Sequence, residues 1–190
     1  MKIQPARFWV VLLLFIPSLA FAAPASVDTQ KSTLTVRVYK TGFFSAFAHD
    51  HEISAPIDSG SFSEENQSVD ISITAGNLKV LDKESSDSEK QKIQTRMLSP
   101  EVLDATQYKE IHFKSTQVQS AGQGMWQVTG DLTLHGQTHP VAFRVQKVSG
   151  RYQGVAEVKQ KDFGITPISI AGGGVKVKDA VRIEFDIVGQ

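Results

Sequence analysis

The chain has 190 residues, no cysteine, and 20 Lys and Arg balanced by 20 Asp and Glu, for a formal net charge of zero. That length suffices for the core of one ordinary domain, and the neutral balance excludes electrostatically driven nucleic-acid binding. With 41% apolar and 21% charged residues, wholesale disorder is excluded as well. The lack of cysteine excludes disulfides, thiolate metal sites, iron–sulfur clusters, a cysteine nucleophile and a lipidated N-terminal cysteine.

Residues 1–22 have the layout of a secretory signal peptide. Lys2 and Arg7 are followed by an apolar run over 8–21, broken by Pro17 and Ser18, and then by Ala20-Phe21-Ala22, a small-x-small cleavage site. The run is shorter than the ~20 residues a spanning helix needs. Its removal leaves 18 basic against 20 acidic side chains, net −2. The style is bacterial, so the expected location is the periplasm, with residues 23–190 as one mature domain.

Period-two alternation then dominates. Leu34, Val36 and Val38 alternate with Thr33, Thr35 and Arg37, and Val69, Ile71 and Ile73 share one face of 68–75. Ile111 and Phe113 begin a further strand. Trp126, Val128, Leu132 and Leu134 oppose Gln127, Thr129, Asp131 and Thr133. Val141, Phe143 and Val145 form another apolar set, Val155 and Val158 follow the Ser149-Gly150 turn, and Val181, Ile183, Phe185 and Ile187 close the series. Each pattern is that of a half-buried strand. The interruption at 85–97 is rich in helix formers, with Ser86 and Glu89 at capping-box spacing. Ser99-Pro100 is expected to start a second short helix that points Val102 and Leu103 inward.

Seven or eight such strands predict an all-β, antiparallel barrel or sandwich. An eight-stranded barrel has an interior that side chains fill or that holds one small ligand. Interior candidates are Phe43, Phe44, Phe47, Ile71, Ile73, Phe113, Leu132, Phe143 and Phe185. An outward apolar face would instead make an outer-membrane barrel. The single Trp of the mature chain, the polar terminal Gln190 and the charged helical insert argue against that.

The run Gly130-Asp131-Leu132-Thr133-Leu134-His135-Gly136-Gln137-Thr138-His139-Pro140-Val141 is similar to the strand–turn–strand pattern G-x-L-T-x-x-G-x-T-x-P-V of the YceI-like family. Asp28 with Ser32, Phe113-x-Ser115, Asp162-Phe163-Gly164-Ile165 and Val177-x-Asp179-x-Val181 support the resemblance, which covers about 27–188. The family's proteins are periplasmic, lipocalin-like and polyisoprenoid-binding. The resemblance therefore implies an extended eight-stranded antiparallel lipocalin-like barrel with a helical insert. It also implies an elongated apolar lumen for an isoprenoid lipid, such as a quinone or a polyprenyl chain. This sequence departs from the family at Tyr108-Lys109, where Tyr-Pro is usual, at Val102-Leu103 in place of an aromatic, and across 42–55.

His49-Asp50-His51 sets two imidazoles on one face of a strand, whereas His112 opposes Phe113 and so faces away from the interior. His135 and His139 flank a turn. His49, His51 and His112 are candidates for a ligand headgroup or for a metal. The spacing is a weak metal signal compared with H-E-x-x-H. Gly172-Gly173-Gly174 lacks nucleotide-loop spacing, and there is no nucleophile elbow.

The expectation is a non-catalytic carrier with no covalent cofactor and no metal. Its lumen or rim would be built from Phe43, Phe44, Phe47, Ile71, Ile73, Phe113, Leu132, Phe143 and Phe185. Transient membrane contact and a homodimer are compatible with that role. The alternatives are a metal-binding protein or metal-dependent enzyme using the His49/His51 cluster, and a packed module without ligand.

Overall fold

The computed structural model describes residues 23–43 and 49–190. The expected leader and the candidates Phe44 and Phe47 lie outside them. The strands, in chain order, are β1 (Ala25–Ser26), β2 (Thr33–Thr41), β3 (His51–Ser54), β4 (Ser59–Ser63), β5 (Ser68–Thr74) and β6 (Lys79–Val80). After α1 (Asp87–Leu98) come β7 (Glu110–Gly122), β8 (Met125–Leu134), β9 (Gln137–Val148), β10 (Arg151–Lys159), β11 (Ser169–Ile170) and β12 (Val175–Ile187).

All strands belong to one curled antiparallel sheet, ordered β1-β4-β5-β7-β8-β9-β10-β12-β2-β3-β6, with β11 beside β12. The twelve segments exceed the eight expected. The excess comes from the two-residue pairings β1, β6 and β11, and from the division of the run 51–63 into β3 and β4. That run hydrogen-bonds to β2 at one end and to β5 at the other, and between the two Ala55 N–H donates to Leu34 O and Asp58 N–H to Ser72 O.

The long hairpins β7–β8, β8–β9 and β9–β10 turn at Gln123-Gly124, His135-Gly136 and Ser149-Gly150, each pair with positive φ. This is the type I′ geometry that matches strand twist. A bulge at Ser115–Gln117 on β7 adds bend. Pro140 lies within β9, opposite Asp131 of β8. Pairing between β9 and β10 ends at Arg144–Val155, so the absent N–H of Pro140 interrupts no ladder to β10. Phe163 packs edge-on against His139 of this unpaired stretch and is among the most deeply buried side chains.

The capping box is present at the start of α1: Ser86 Oγ accepts from Glu89 N–H, and the Glu89 carboxylate accepts from Ser86 N–H. Gln94 ties the helix to the sheet by accepting from Val80 N–H and donating to Leu78 O. Met97 is the helix's buried residue. The expected second helix does not form. Ser99 Oγ accepts from Glu101 N–H, and Leu103 and Asp104 donate back to Met97 O and Ser99 O. Consecutive turns result, with Asp104 at φ 42°. They still direct Leu103 into the core and Val102 against it.

Candidate ligand cavity

Alternation carries the apolar side chains of the long strands to the concave face, where they enclose a cavity of about 280 Å³. Its wall takes Leu34, Val36 and Val38 from β2, Ile71 and Ile73 from β5, and Ile111 and Phe113 from β7. Trp126, Val128, Leu132 and Leu134 come from β8, Phe143 from β9, and Val181, Ile183, Phe185 and Ile187 from β12. Met97, Val102, Leu103 and Ile165 line it from the helical side. Phe113, Phe143 and Phe185 form a row of rings across the interior, with successive centroids 5.3 Å apart.

A cavity larger than the ~150 Å³ void that stays dry and admits benzene, and lined in this way, has no partners for water. Polar lining side chains are confined to its extremities: Ser63, Glu64, Ser68 and Tyr152 at one end and Gln160 at the other.

The first of these ends is an ordered cluster. Lys147 Nζ lies 2.7 Å from Glu64 Oε1, and Tyr152 donates its hydroxyl to the same oxygen. The Tyr152 ring packs on Phe62 at 4.6 Å and on Trp126 at 5.9 Å, with Lys147 Nζ 5.1 Å from its centroid. The hydrogen bonds from Lys147 and Tyr152 hold the Glu64 carboxyl below its usual range. The pairing with Glu64 and Tyr152 raises Lys147. Burial, followed by the Glu64 hydrogen bond, raises Tyr152.

Beyond the opposite end lies a second cavity of about 420 Å³, which shares Val38, Ile53, Met97, Val102 and Gln160 with the first. His49 and His51 line it, with Lys40, Lys92, Arg96, Lys176 and Glu89. His51 Nδ1 is 2.6 Å from Oδ2 of Asp82, whose side chain is only 3% exposed and which also accepts from Glu52 N–H. His49 Nδ1 is 3.4 Å from Glu84.

Of the residues singled out from sequence, Ile71, Ile73, Phe113, Leu132, Phe143 and Phe185 all stand on the first cavity's wall. Phe43 does not. It is 92% exposed, in the turn after β2, where Gly42 at φ 103° passes against the Gly174 backbone. The three candidate histidines do not converge. His112 Nε2 pairs with Asp70 at 2.8 Å and lines neither cavity. Among the described residues, no group of three or more His, Asp or Glu side chains is placed to hold a metal ion.

Trp126 and the Glu64–Lys147–Tyr152 cluster were not anticipated as part of the site. Trp126 was legible from its place in the β8 alternation. The three cluster residues lie 83 and 88 positions apart through Glu64, so only the strand register unites them.

A curled antiparallel sheet around an apolar cavity defines a lipocalin-like protein. The chain belongs to the YceI-like domain family, whose model matches residues 25–189. It is similar to a UPF0312 protein of Vibrio cholerae, 28% identical over 162 residues, covering 79% of this chain and 82% of that protein. A UPF0312 protein of Vibrio parahaemolyticus is 36% identical over 126 residues, covering 66% of this chain and 59% of that protein. The fold is shared with BcnA of Burkholderia cenocepacia, with a TM-score of 0.67 at 20% identity, over 86% of this chain and 99% of the other.

Proposed function

We propose that the protein is a non-catalytic periplasmic carrier that holds a lipophilic isoprenoid, polyprenyl or quinone-type, in the cavity. The observation that carries this reading is the chemistry of the wall: aliphatic and aromatic side chains along its length, with hydrogen-bonding groups only at its ends. A branched hydrocarbon transferred there gains ~0.8 kcal/mol per CH₂-sized group and requires no polar partner on the way. Sequestration needs no reacting residue: the tail is withdrawn from water and the head stays near an end. The run 51–63 serves in this reading as one strand joining the two ends of the sheet, which makes eight long strands around the ligand. Among the described residues no helix is long and apolar enough to cross a membrane. Export through the N-terminal leader and transient contact with a membrane during loading belong to the same proposal.

Trp126 supplies the test. It lines the cavity and is the one Trp of the chain after the leader. Titration of the mature protein with a short-chain ubiquinone should quench its emission saturably, near one equivalent. Quenching no greater than that of free tryptophan amide would overturn the carrier reading.

A further inference from the structure

We propose that the turn after β2 and the segment around β11 form a tip that docks on an anionic lipid surface, so that the barrel meets a membrane by this end. This rests on the carrier reading and adds the partner surface and the side chains that touch it. Strand register assembles the tip. Lys176 of β12 pairs with Thr41 of β2 on one side and with Ser169 of β11 on the other, and Val175 pairs with Ile170. Gly42 leaves β2 at φ 103°, and a Cβ there would meet Gly174 O at 2.7 Å, so the turn carrying Phe43 lies against the loop between β11 and β12. Phe43 is 92% exposed and Ile170 46%. One exposed apolar side chain is ordinary, but these two share a tip whose charge has a single sign.

Residues 39–43 and 165–178 carry Lys40, Lys176 and Lys178 and no Asp or Glu. Lys176 and Lys178 are exposed, and Lys178 Nζ lies 5.7 Å from the centre of the Tyr39 ring. The neighbouring carboxylates have local partners. Asp50 accepts from Lys40 N–H and Asp179 from Lys161 N–H. Glu84 pairs with His49, and Glu89 lies in the field of His49 and Lys92.

An aromatic and an aliphatic anchor among lysines have the composition that binds a lipid interface. The apolar groups enter the headgroup layer, and the long lysine stems carry their ammonium groups to the phosphates. A neutral surface would make no use of the lysines. A second copy of this chain, docked by the same patch, would set those lysines against their own kind.

The experiment is co-sedimentation of the full mature chain with vesicles of phosphatidylcholine alone and of phosphatidylcholine mixed with phosphatidylglycerol. Partition to the anionic vesicles should be about tenfold stronger or more and should fall as salt rises. Phe43→Ser combined with Ile170→Ser should lower it about tenfold. Lys176→Gln combined with Lys178→Gln should remove the preference for anionic lipid. The control pair Met125→Ser and Val148→Ser, also exposed but beside the Gln123-Gly124 and Ser149-Gly150 turns at the Glu64 end, should partition like the parent. Circular dichroism verifies that each variant is folded. Equal partition to neutral and anionic vesicles, partition to neither, or tip variants that partition like the parent would overturn the docking assignment. So would a lipid-free dimer that the tip variants dissolve, which would give the patch to a second copy. Saturable quenching of Trp126 by quinone in vesicle-free solution would leave the carrier reading standing in each of these cases, and its absence would remove the reading on which docking rests.

Discussion

Phe185 on β12 stands directly opposite Gly154 on β10, and its ring occupies the space that a side chain at 154 would fill. A Cβ at 154 would come within 2.4 Å of Phe185 Cζ and 2.3 Å of Arg144 O. Phe113 lies over Gly130 in the same manner, 2.5 Å from a Cβ built there. The row of phenylalanines across the cavity is therefore seated on two glycines. Gly154→Ala is expected to destabilise the fold by roughly 1–3 kcal/mol, the usual cost of overpacking. Urea unfolding reads this as a lower midpoint at unchanged slope. A neutral substitution would place the ring elsewhere.

The same row makes occupancy of the cavity testable from within. Val128 is 1% exposed, lines the cavity and pairs with Phe143 across β8 and β9. Val128→Phe adds volume where the ligand would lie. Quinone uptake followed through Trp126 should fall at least about tenfold, the equivalent of ~1.4 kcal/mol. Circular dichroism should retain the β spectrum. Unchanged affinity in the folded variant would put the ligand outside this cavity.

Ser86 caps α1 from its first turn, with both halves of the capping box made. Ser86→Ala should cost about 1 kcal/mol, the typical loss at such a cap. Thermal unfolding would show it as a lowered Tm. Because α1 carries Met97 to the cavity wall and Lys92 to the second cavity, a frayed helix should also weaken ligand retention. A Tm equal to that of the parent protein would mean that the helix start is not capped as described.

Glu64 gives a pH dependence with a definite sign. Its carboxyl is held below its ordinary value of 4.5 by Lys147 and Tyr152. The stabilisation is thus fully present above that value and is lost as pH falls through the lower folded one. Lys147 and Tyr152 are both raised, so their share is present below their ordinary values and is lost as pH rises through the folded ones. The Glu64 and Lys147 side chains are 45% and 40% exposed, and solvent screening keeps the effect small. Tm measured from pH 6 down to about 3 should decline more steeply in the parent than in Glu64→Gln. Parallel acid limbs would show that the cluster contributes nothing.

The strands with one apolar face were legible because burial on one side of a sheet enforces a period of two. The six wall residues Ile71, Ile73, Phe113, Leu132, Phe143 and Phe185 follow from that rule alone. The capping box was legible because it is a local motif. The second helix was misjudged because Ser99 makes the hydrogen bond of a cap, accepting from Glu101 N–H, but no helix follows: Leu103 and Asp104 donate back to Met97 O and Ser99 O, and Asp104 takes positive φ. Phe43, a candidate for the rim as much as for the lumen, stands exposed in the turn after β2, off the cavity wall, where Gly42 turns the chain at positive φ. His51 was singled out from its spacing to His49, yet its partner is Asp82, 31 residues away on the chain. Pairings of that kind depend on register between distant strands, as do Glu64 with Lys147 and Gly154 with Phe185. No local pattern announces them.

The central claim is that the apolar cavity holds a lipid in the living cell. The most direct measurement is native mass spectrometry of the protein purified from its own source without detergent, followed by organic extraction and metal analysis of the same sample. About one isoprenoid molecule per chain is expected, released on unfolding, with no stoichiometric metal. Protein that is lipid-free as isolated and takes up no polyprenyl or quinone ligand would contradict it, and stoichiometric metal without lipid would transfer the function to the histidines.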